Sequence, residues 1–304
     1  MADIEALASK DVKSVFSWNL VLRTIYHLGY FIGDNGILVW CLGIGDRINR
    51  AASNNPAVAT FKYMLPAFFT NWNFSFQTLF LGLSLLHDVL EWSGKHNGNF
   101  GSKVRYWRDV LFCGCVLPFT LFVSSMFWTV YAIDRELVFP KIYDEVVPWW
   151  FNHCVHTNIL VVLALETLLQ ARRHPTDRKV EVTMYWGVAV AYAVVYYTIY
   201  FATGRWLYQV FGVMSWWQVC LYQLWIWLSS YIFYLLQFPI NRLFHAEERP
   251  QISESNGETK TADGEEPKAE NAKVITDLKT PPFSTRSWSV KFRSLRNHFE
   301  TSRL

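Results

Sequence analysis

A chain of 304 residues that is 52% hydrophobic, 17% aromatic and only 17% charged is too poor in charge for an ordinary soluble domain, where about a quarter of residues are charged. The net charge of +3 gives no ground for a nucleic-acid partner. The five cysteines (Cys41, Cys113, Cys115, Cys154, Cys220) follow neither disulfide nor metal-ligand spacing. Mean hydropathy is a modest +0.11 because the last 60 residues are polar and dilute an apolar body.

Residues 1–17 are polar, and the apolar run behind them has no small-residue cleavage site, so the first span is expected to stay in place as a signal anchor. Crossing ~30 Å of hydrocarbon takes about 20 apolar residues. Six segments qualify. The first, 18–42, is interrupted by Arg23, His27 and Asp34. The second is 61–86, with Lys62 at its edge, and the third, 110–132, carries no charge. The fourth, 147–169, contains His153, His156 and Glu166. The fifth (183–203) and sixth (213–240) are rich in Trp and Tyr. All six are predicted helices, because an open sheet would leave backbone groups unsatisfied in lipid.

Lysines and arginines in the connections set the orientation. Twelve fall on the side of the N-terminal segment, the 87–109 and 170–182 loops and the start of the tail, against five on the other side. The predicted fold is therefore all-α and polytopic, with six transmembrane helices and both termini cytoplasmic. Residues 1–245 form the membrane domain. Residues 246–304 are read as a mostly disordered cytoplasmic tail, polar and rich in Glu, Lys, Ser and Gly over 247–278. Within 284–300, Trp288, Phe292, Leu295 and Phe299 recur at helical spacing beside Arg286, Lys291, Arg293 and Arg296. That pattern fits either a basic interfacial helix on an anionic leaflet or a plain basic tail.

Ionisable side chains inside a span are costly and ask for a reason. Thr70 lies nine residues into the second span from Phe61, and His156 nine into the fourth from Val147. The two spans run in the same direction, so at 1.5 Å per residue both residues are expected about 14 Å deep. Thr70, Asn73 and Gln77 share a helix face, as do Asn152 and His156, with His153 close by. Pro66, four residues before Thr70, is expected to loosen the local backbone ladder.

A threonine hydroxyl becomes a nucleophile only when a base takes its proton, and a neutral imidazole within reach can do that. Asn152, His153 and Asp134 are alternatives for orienting the ring. The structural alternative is that Thr70 bonds back to its own helix and the histidines hold helices together. In the 133–146 loop, Asp134, Arg135 and Glu136 read either as an interfacial ion pair capping a helix or, through Arg135, as a headgroup contact.

Phe127-Trp128-Thr129-Val130-Tyr131-Ala132-Ile133-Asp134-Arg135-Glu136-Leu137-Val138-Phe139-Pro140-Lys141, followed by Asn152-His153-Cys154-Val155-His156-Thr157, resembles the androgen-induced protein family over roughly residues 15–245. The resemblance implies a six-helix membrane hydrolase that cleaves fatty acid esters of hydroxy fatty acids. It implies an intramembrane threonine nucleophile, corresponding to Thr70, and a catalytic histidine, corresponding to His156. The implied partner is a branched lipid ester within the bilayer; no cofactor and no metal are implied. Endoplasmic reticulum and plasma membrane both fit. The chain departs from the family pattern in the placement of Lys62-Tyr63, in Asn73 for an acidic residue and in Cys154 for glycine. A non-catalytic lipid-binding or signalling protein and a small-solute transporter are the rival readings. The transporter gains no support from internal repeats, as none is visible.

Overall fold

A computed structural model describes residues 17–43, 48–49, 56–172 and 178–245. The expected tail, 246–304 with its segment 284–300, lies outside the described residues. The described chain is almost entirely helical, and no strand occurs among the described residues. In chain order it forms α1 (Trp18–Gly43), α2 (Pro56–Met64), a 3₁₀ turn (Leu65–Ala67), α3 (Phe69–Trp92) and α4 (Asn99–Leu111). A π segment (Phe112–Val116) joins α4 to α5 (Leu117–Asp134), and 3₁₀ turns follow at Arg135–Leu137 and Lys141–Glu145. Next come α6 (Trp149–His153), a second π segment (Cys154–Asn158), α7 (Ile159–Leu169), α8 (Lys179–Thr203), α9 (Gln209–Gly212) and α10 (Trp216–Phe244).

Among the described residues four helical runs are long and apolar enough to cross a membrane: Asn99–Leu137, Trp149–Leu169, Lys179–Thr203 and Trp216–Phe244. They coincide with the third to sixth expected spans and mark a multi-pass membrane protein. Their outward faces agree: Val190 and Val194 of α8 and Leu221, Leu224 and Leu228 of α10 are exposed apolar side chains along helix faces that water would not favour.

The expected second span, 61–86, is not one helix. Pro66 lacks a donor and sits in the first turn of the 3₁₀ segment, and Phe68 is extended at ψ 131°. The helix restarts at Phe69. Asn71 Nδ2 donates to the Leu65 carbonyl (2.5 Å) and Trp72 Nε1 to the Pro66 carbonyl (3.1 Å), so side chains satisfy acceptors that the break released. Thr70 therefore lies in the first turn of α3. The equal-depth reckoning from Phe61 does not hold as stated, since the 1.5 Å rise is not continuous across the 3₁₀ turn and the extended Phe68.

Two apolar cores build the bundle. One joins Phe74, Phe80 and Leu81 of α3 with Phe112, Val116, Phe119, Ile159 and Tyr185. The other lies where α2 and the 139–147 loop meet, with Val58, Phe61, Phe127, Phe139, Val146 and Val147. Phe61 stacks on Tyr143 at 4.2 Å between ring centroids. Cys113 and Cys115 are buried as core thiols.

The interrupting charges of α1 are accounted for by partners on other helices. Arg23 Nη2 contacts Asp88 (3.0 Å) and Glu91 (2.6 Å). His27 sits between Asp88 (2.6 Å) and Glu166 (2.8 Å), with all three side chains fully buried. Arg172 pairs with Glu166 and with Asp109 (2.5 Å), and Arg108 with Asp109 (2.8 Å). Three guanidiniums and His27 thus face four carboxylates, so the cluster is electrically balanced when His27 is protonated.

Candidate active site

The break before α3 opens onto an apolar cavity. It holds about 1430 Å³ of unfilled space, part of it continuous with the outside. Its wall includes Phe61 and Phe68 from the α2–α3 junction, Phe119 and Phe127 from α5, Phe139 and Tyr143 from the following loop, and residues of α8 and α10. Among the described residues that line it there is no lysine, arginine, aspartate or glutamate. A cavity of this composition accepts hydrocarbon and presents only a few polar atoms to fix orientation.

Thr70, Asn152 and His156 all line this cavity. Thr70 is half-buried at the start of α3, and its hydroxyl makes no hydrogen bond among the described residues. That differs from the back-bonded state of Thr24, Thr78 and Thr167, whose hydroxyls each donate to a carbonyl four residues earlier. Ser230, another cavity hydroxyl, is held by Tyr185 (2.5 Å) and by the Trp227 carbonyl (3.2 Å).

His156 occupies the π segment between α6 and α7, one extra residue in the turn that α-helical spacing does not anticipate. Such turns are frequent at functional positions because they re-aim side chains. The ring is buried and stacks face to face on Phe127, with centroids 3.5 Å apart and planes 6° apart. Its Nδ1 is buried without a hydrogen-bond partner. No hydrogen bond from Asn152, His153 or Asp134 reaches the ring among the described residues, so the orienting contact is the Phe127 face. Asn152 shares the cavity wall with His156, as the four-residue spacing implies.

The remaining sequence candidates lie elsewhere. His153 is exposed, 3.2 Å from the Thr157 hydroxyl and packed on Trp128. Asn73 is buried behind the cavity, where its Oδ1 accepts from Thr120 (3.3 Å), and Gln77 is buried on the same face. Asp134 is exposed and caps the 3₁₀ turn by accepting from the Glu136 amide (2.9 Å). Arg135 pairs with Asp144 (2.8 Å) and covers the rings of Tyr131 and Phe139, so it touches the cavity only through Phe139. Sequence reasoning passed over Phe127, Tyr192 and Tyr208. Their one signal is the aromatic density of the spans, which does not say which rings face inward.

The model of the FAR-17a/AIG1-like protein family matches residues 47–242. The androgen-dependent TFPI-regulating protein of Homo sapiens is 32% identical over 199 residues, covering 64% of this chain and 77% of that protein. The Mus musculus protein of the same name is 32% identical over 186 residues, 59% of this chain and 77% of its own. The androgen-induced gene 1 protein of Homo sapiens is 29% identical over 137 residues, 43% of this chain and 57% of its own. No solved structure matches the chain.

Proposed function

The chain belongs to the FAR-17a/AIG1-like family, and on that premise we propose that it is an intramembrane lipid hydrolase cleaving fatty acid esters of hydroxy fatty acids. Thr70 is the nucleophile and His156 the general base. The observation that carries this reading is that an unengaged threonine hydroxyl and a buried imidazole with a free nitrogen line one uncharged cavity. A two-chain ester enters from the bilayer. Thr70 Oγ1 attacks the ester carbonyl carbon while His156 takes the hydroxyl proton. Collapse breaks the bond to the branch oxygen, and His156 returns the proton to that oxygen as the hydroxy fatty acid leaves. Water, deprotonated by His156, then attacks the acyl carbon, and His156 returns that proton to Thr70 Oγ1 as the bond to the threonine breaks and the fatty acid leaves. General-base assistance of this kind is worth about 10²–10⁴-fold.

In the proposed membrane arrangement α1 and α3 complete six spans, with both termini cytoplasmic. What supports this is an inverted distribution of side chains. On α1, Ile25, Ile32 and Val39 are exposed while Arg23, His27 and Asp34 are buried. On α3, Leu79, Leu86 and Val89 are exposed while Asn73, Gln77, Ser84 and Asp88 are buried. Greasy outside and polar inside suits lipid rather than water. Endoplasmic reticulum and plasma membrane are both compatible compartments.

The test is hydrolysis by purified protein in lipid nanodiscs, supplied with a fatty acid ester of a hydroxy fatty acid. Wild type is expected to turn over, and Thr70→Ala and His156→Ala to lose turnover at equal folded yield. Full turnover by either variant removes that residue from the mechanism. Binding of the ester without product in the wild type would leave a lipid-binding protein instead.

A further inference from the structure

The backbone break that frees Thr70 also frees the first amide of α3. The Phe69 N–H donates to two phenol oxygens at once, Tyr192 Oη at 3.1 Å and Tyr208 Oη at 3.0 Å. The two phenols are themselves 2.9 Å apart and hydrogen-bonded to each other. The protons can be counted. The amide supplies one, shared by both oxygens. The phenol–phenol contact uses one of the two O–H groups, whichever ring donates. The other O–H has no acceptor among the described residues, yet both rings line the cavity beside Thr70. A half-buried donor that faces an apolar cavity without an acceptor is costly and points to a ligand atom.

Several features hold this donor in place. Tyr192 packs against Phe69 (4.5 Å between centroids) and Trp72 (5.5 Å), and Tyr208 against Phe68 (5.6 Å). Burial raises the Tyr208 phenol above its ordinary value, so it stays protonated at neutral pH. The amide donating into both oxygens polarises the phenols and strengthens the outward O–H as a donor. On the same cavity wall His156, 5% exposed, holds its unpaired Nδ1.

We infer that the Tyr192–Tyr208 pair is the oxyanion-binding element of the site. The spare phenol O–H donates to the carbonyl oxygen of the bound ester as that oxygen takes on charge. The inference rests on Thr70 as nucleophile. When the Thr70 Oγ1–carbon bond forms, the carbonyl π pair moves onto oxygen, and the proton lost by Thr70 goes to His156. The phenol donates a hydrogen bond to the new alkoxide and keeps its proton. On collapse that electron pair reforms the carbonyl, the bond to the branch oxygen breaks, and His156 protonates the departing oxygen. A donor fixed before reaction costs no reorganisation at the transition state, and removing one such donor typically lowers kcat about 10²–10³-fold.

The shared arrangement makes a specific non-additive expectation. Tyr192→Phe leaves Tyr208 with its O–H free to turn into the cavity, and Tyr208→Phe does the converse. Each single variant should keep at least about a tenth of wild-type kcat, whereas the double variant should fall about 10²–10³-fold. Affinity for a long-chain trifluoromethyl ketone, whose adduct with Thr70 carries the oxyanion, should fall in step with kcat. Affinity for a non-hydrolysable ether analogue of the ester should not change.

Wild-type kcat in the double variant, with Thr70→Ala inactive, overturns the oxyanion assignment and leaves the threonine reading intact. Full turnover by Thr70→Ala overturns both. Equal loss of ketone and ether binding in the double variant assigns the tyrosines to packing and overturns the inference. Should the double variant not fold, 3,5-difluorotyrosine at position 208 in the Tyr192→Phe background replaces it. Turnover there should decline as pH rises and this more acidic phenol ionises, relative to Tyr192→Phe alone. A flat profile overturns the inference.

Discussion

The His156 ring has one face covered by Phe127 at 3.5 Å and one nitrogen without a partner. Elsewhere in this chain a buried imidazole is pinned by charge, as His27 is between Asp88 and Glu166. His27 has both nitrogens engaged, whereas His156 leaves Nδ1 without a partner, as the buried His87 leaves its Nε2; what sets His156 apart from His87 is its place on the cavity wall. Because stacking alone sets the ring plane, Phe127→Leu should preserve most of the buried volume and still let the ring swing. We expect kcat to fall by up to ~10²-fold, the cost of roughly 1 Å misplacement, with little change in substrate KM. Steady-state kinetics at matched folded protein checks this. A kcat equal to wild type would mean that Phe127 does not orient the ring. Thr70 could be singled out from its sequence, since a polar residue in an apolar run is visible there. Phe127 could not, because one phenylalanine among 23 carries no mark of which ring it covers.

At the scale of elements, interruptions make the site. Pro66 and the extended Phe68 end one helix and start another, which puts Thr70 in a first turn whose leading amide, at Phe69, bonds to side chains and not to a helix carbonyl. The π segment at Cys154–Asn158 turns His156 toward the same space. The π segment at Phe112–Val116 serves packing instead. There Gly114 lies so close to α8 that an added Cβ would stand 3.0 Å from the Glu181 carbonyl oxygen. Small residues at such crossings let helices approach within a membrane. Gly114→Val should therefore push α8 off the bundle and cost about 1–3 kcal/mol. Thermal unfolding in detergent would register it, and an unshifted transition would show that the contact yields easily. The proline was legible in the sequence as a place where the ladder loosens. The π turn was not, because one extra residue in a turn leaves the apolar pattern almost unchanged.

Across the whole molecule, the charge cluster and the cavity occupy opposite ends of α3. Thr70 and Asp88 are 18 residues apart on that helix, about 27 Å at 1.5 Å per residue. The cluster ties α1, α3, α4 and the end of α7 together. Arg172 adds a link to α10, whose Asn241 exchanges two 3.0 Å hydrogen bonds with the Arg172 backbone. Removing one partner strands its counter-charge in a low-dielectric interior. Glu166→Ala should thus destabilise by ~3–5 kcal/mol, seen as a lowered unfolding temperature, while ester turnover below that temperature persists. Loss of turnover in a fully folded Glu166→Ala protein would tie the cluster to the chemistry. The proposed orientation is checked by impermeant maleimide on intact cells. With the native cysteines replaced, a cysteine at Lys95 should label only after permeabilisation. One at Lys141 should be accessible from the opposite side of the same membrane. Reversed labelling would invert the arrangement.

The sequence by itself determined the class of this protein: helical, multi-pass, with polar residues set into apolar runs. Hydrophobic length and scarcity of charge are properties of single segments and need no knowledge of neighbours. It also singled out Thr70 and the histidine pair, whose polarity conflicts with the segments that carry them. Only the tertiary structure decided that Arg23, His27, Arg108 and Arg172 face Asp88, Glu91, Asp109 and Glu166. The same holds for Asn73, which faces Thr120, and for the two tyrosines that meet on the Phe69 amide. These partners come from helices far apart in sequence, and pairing across a bundle depends on helix rotation and on two non-α turns, neither of which hydropathy records.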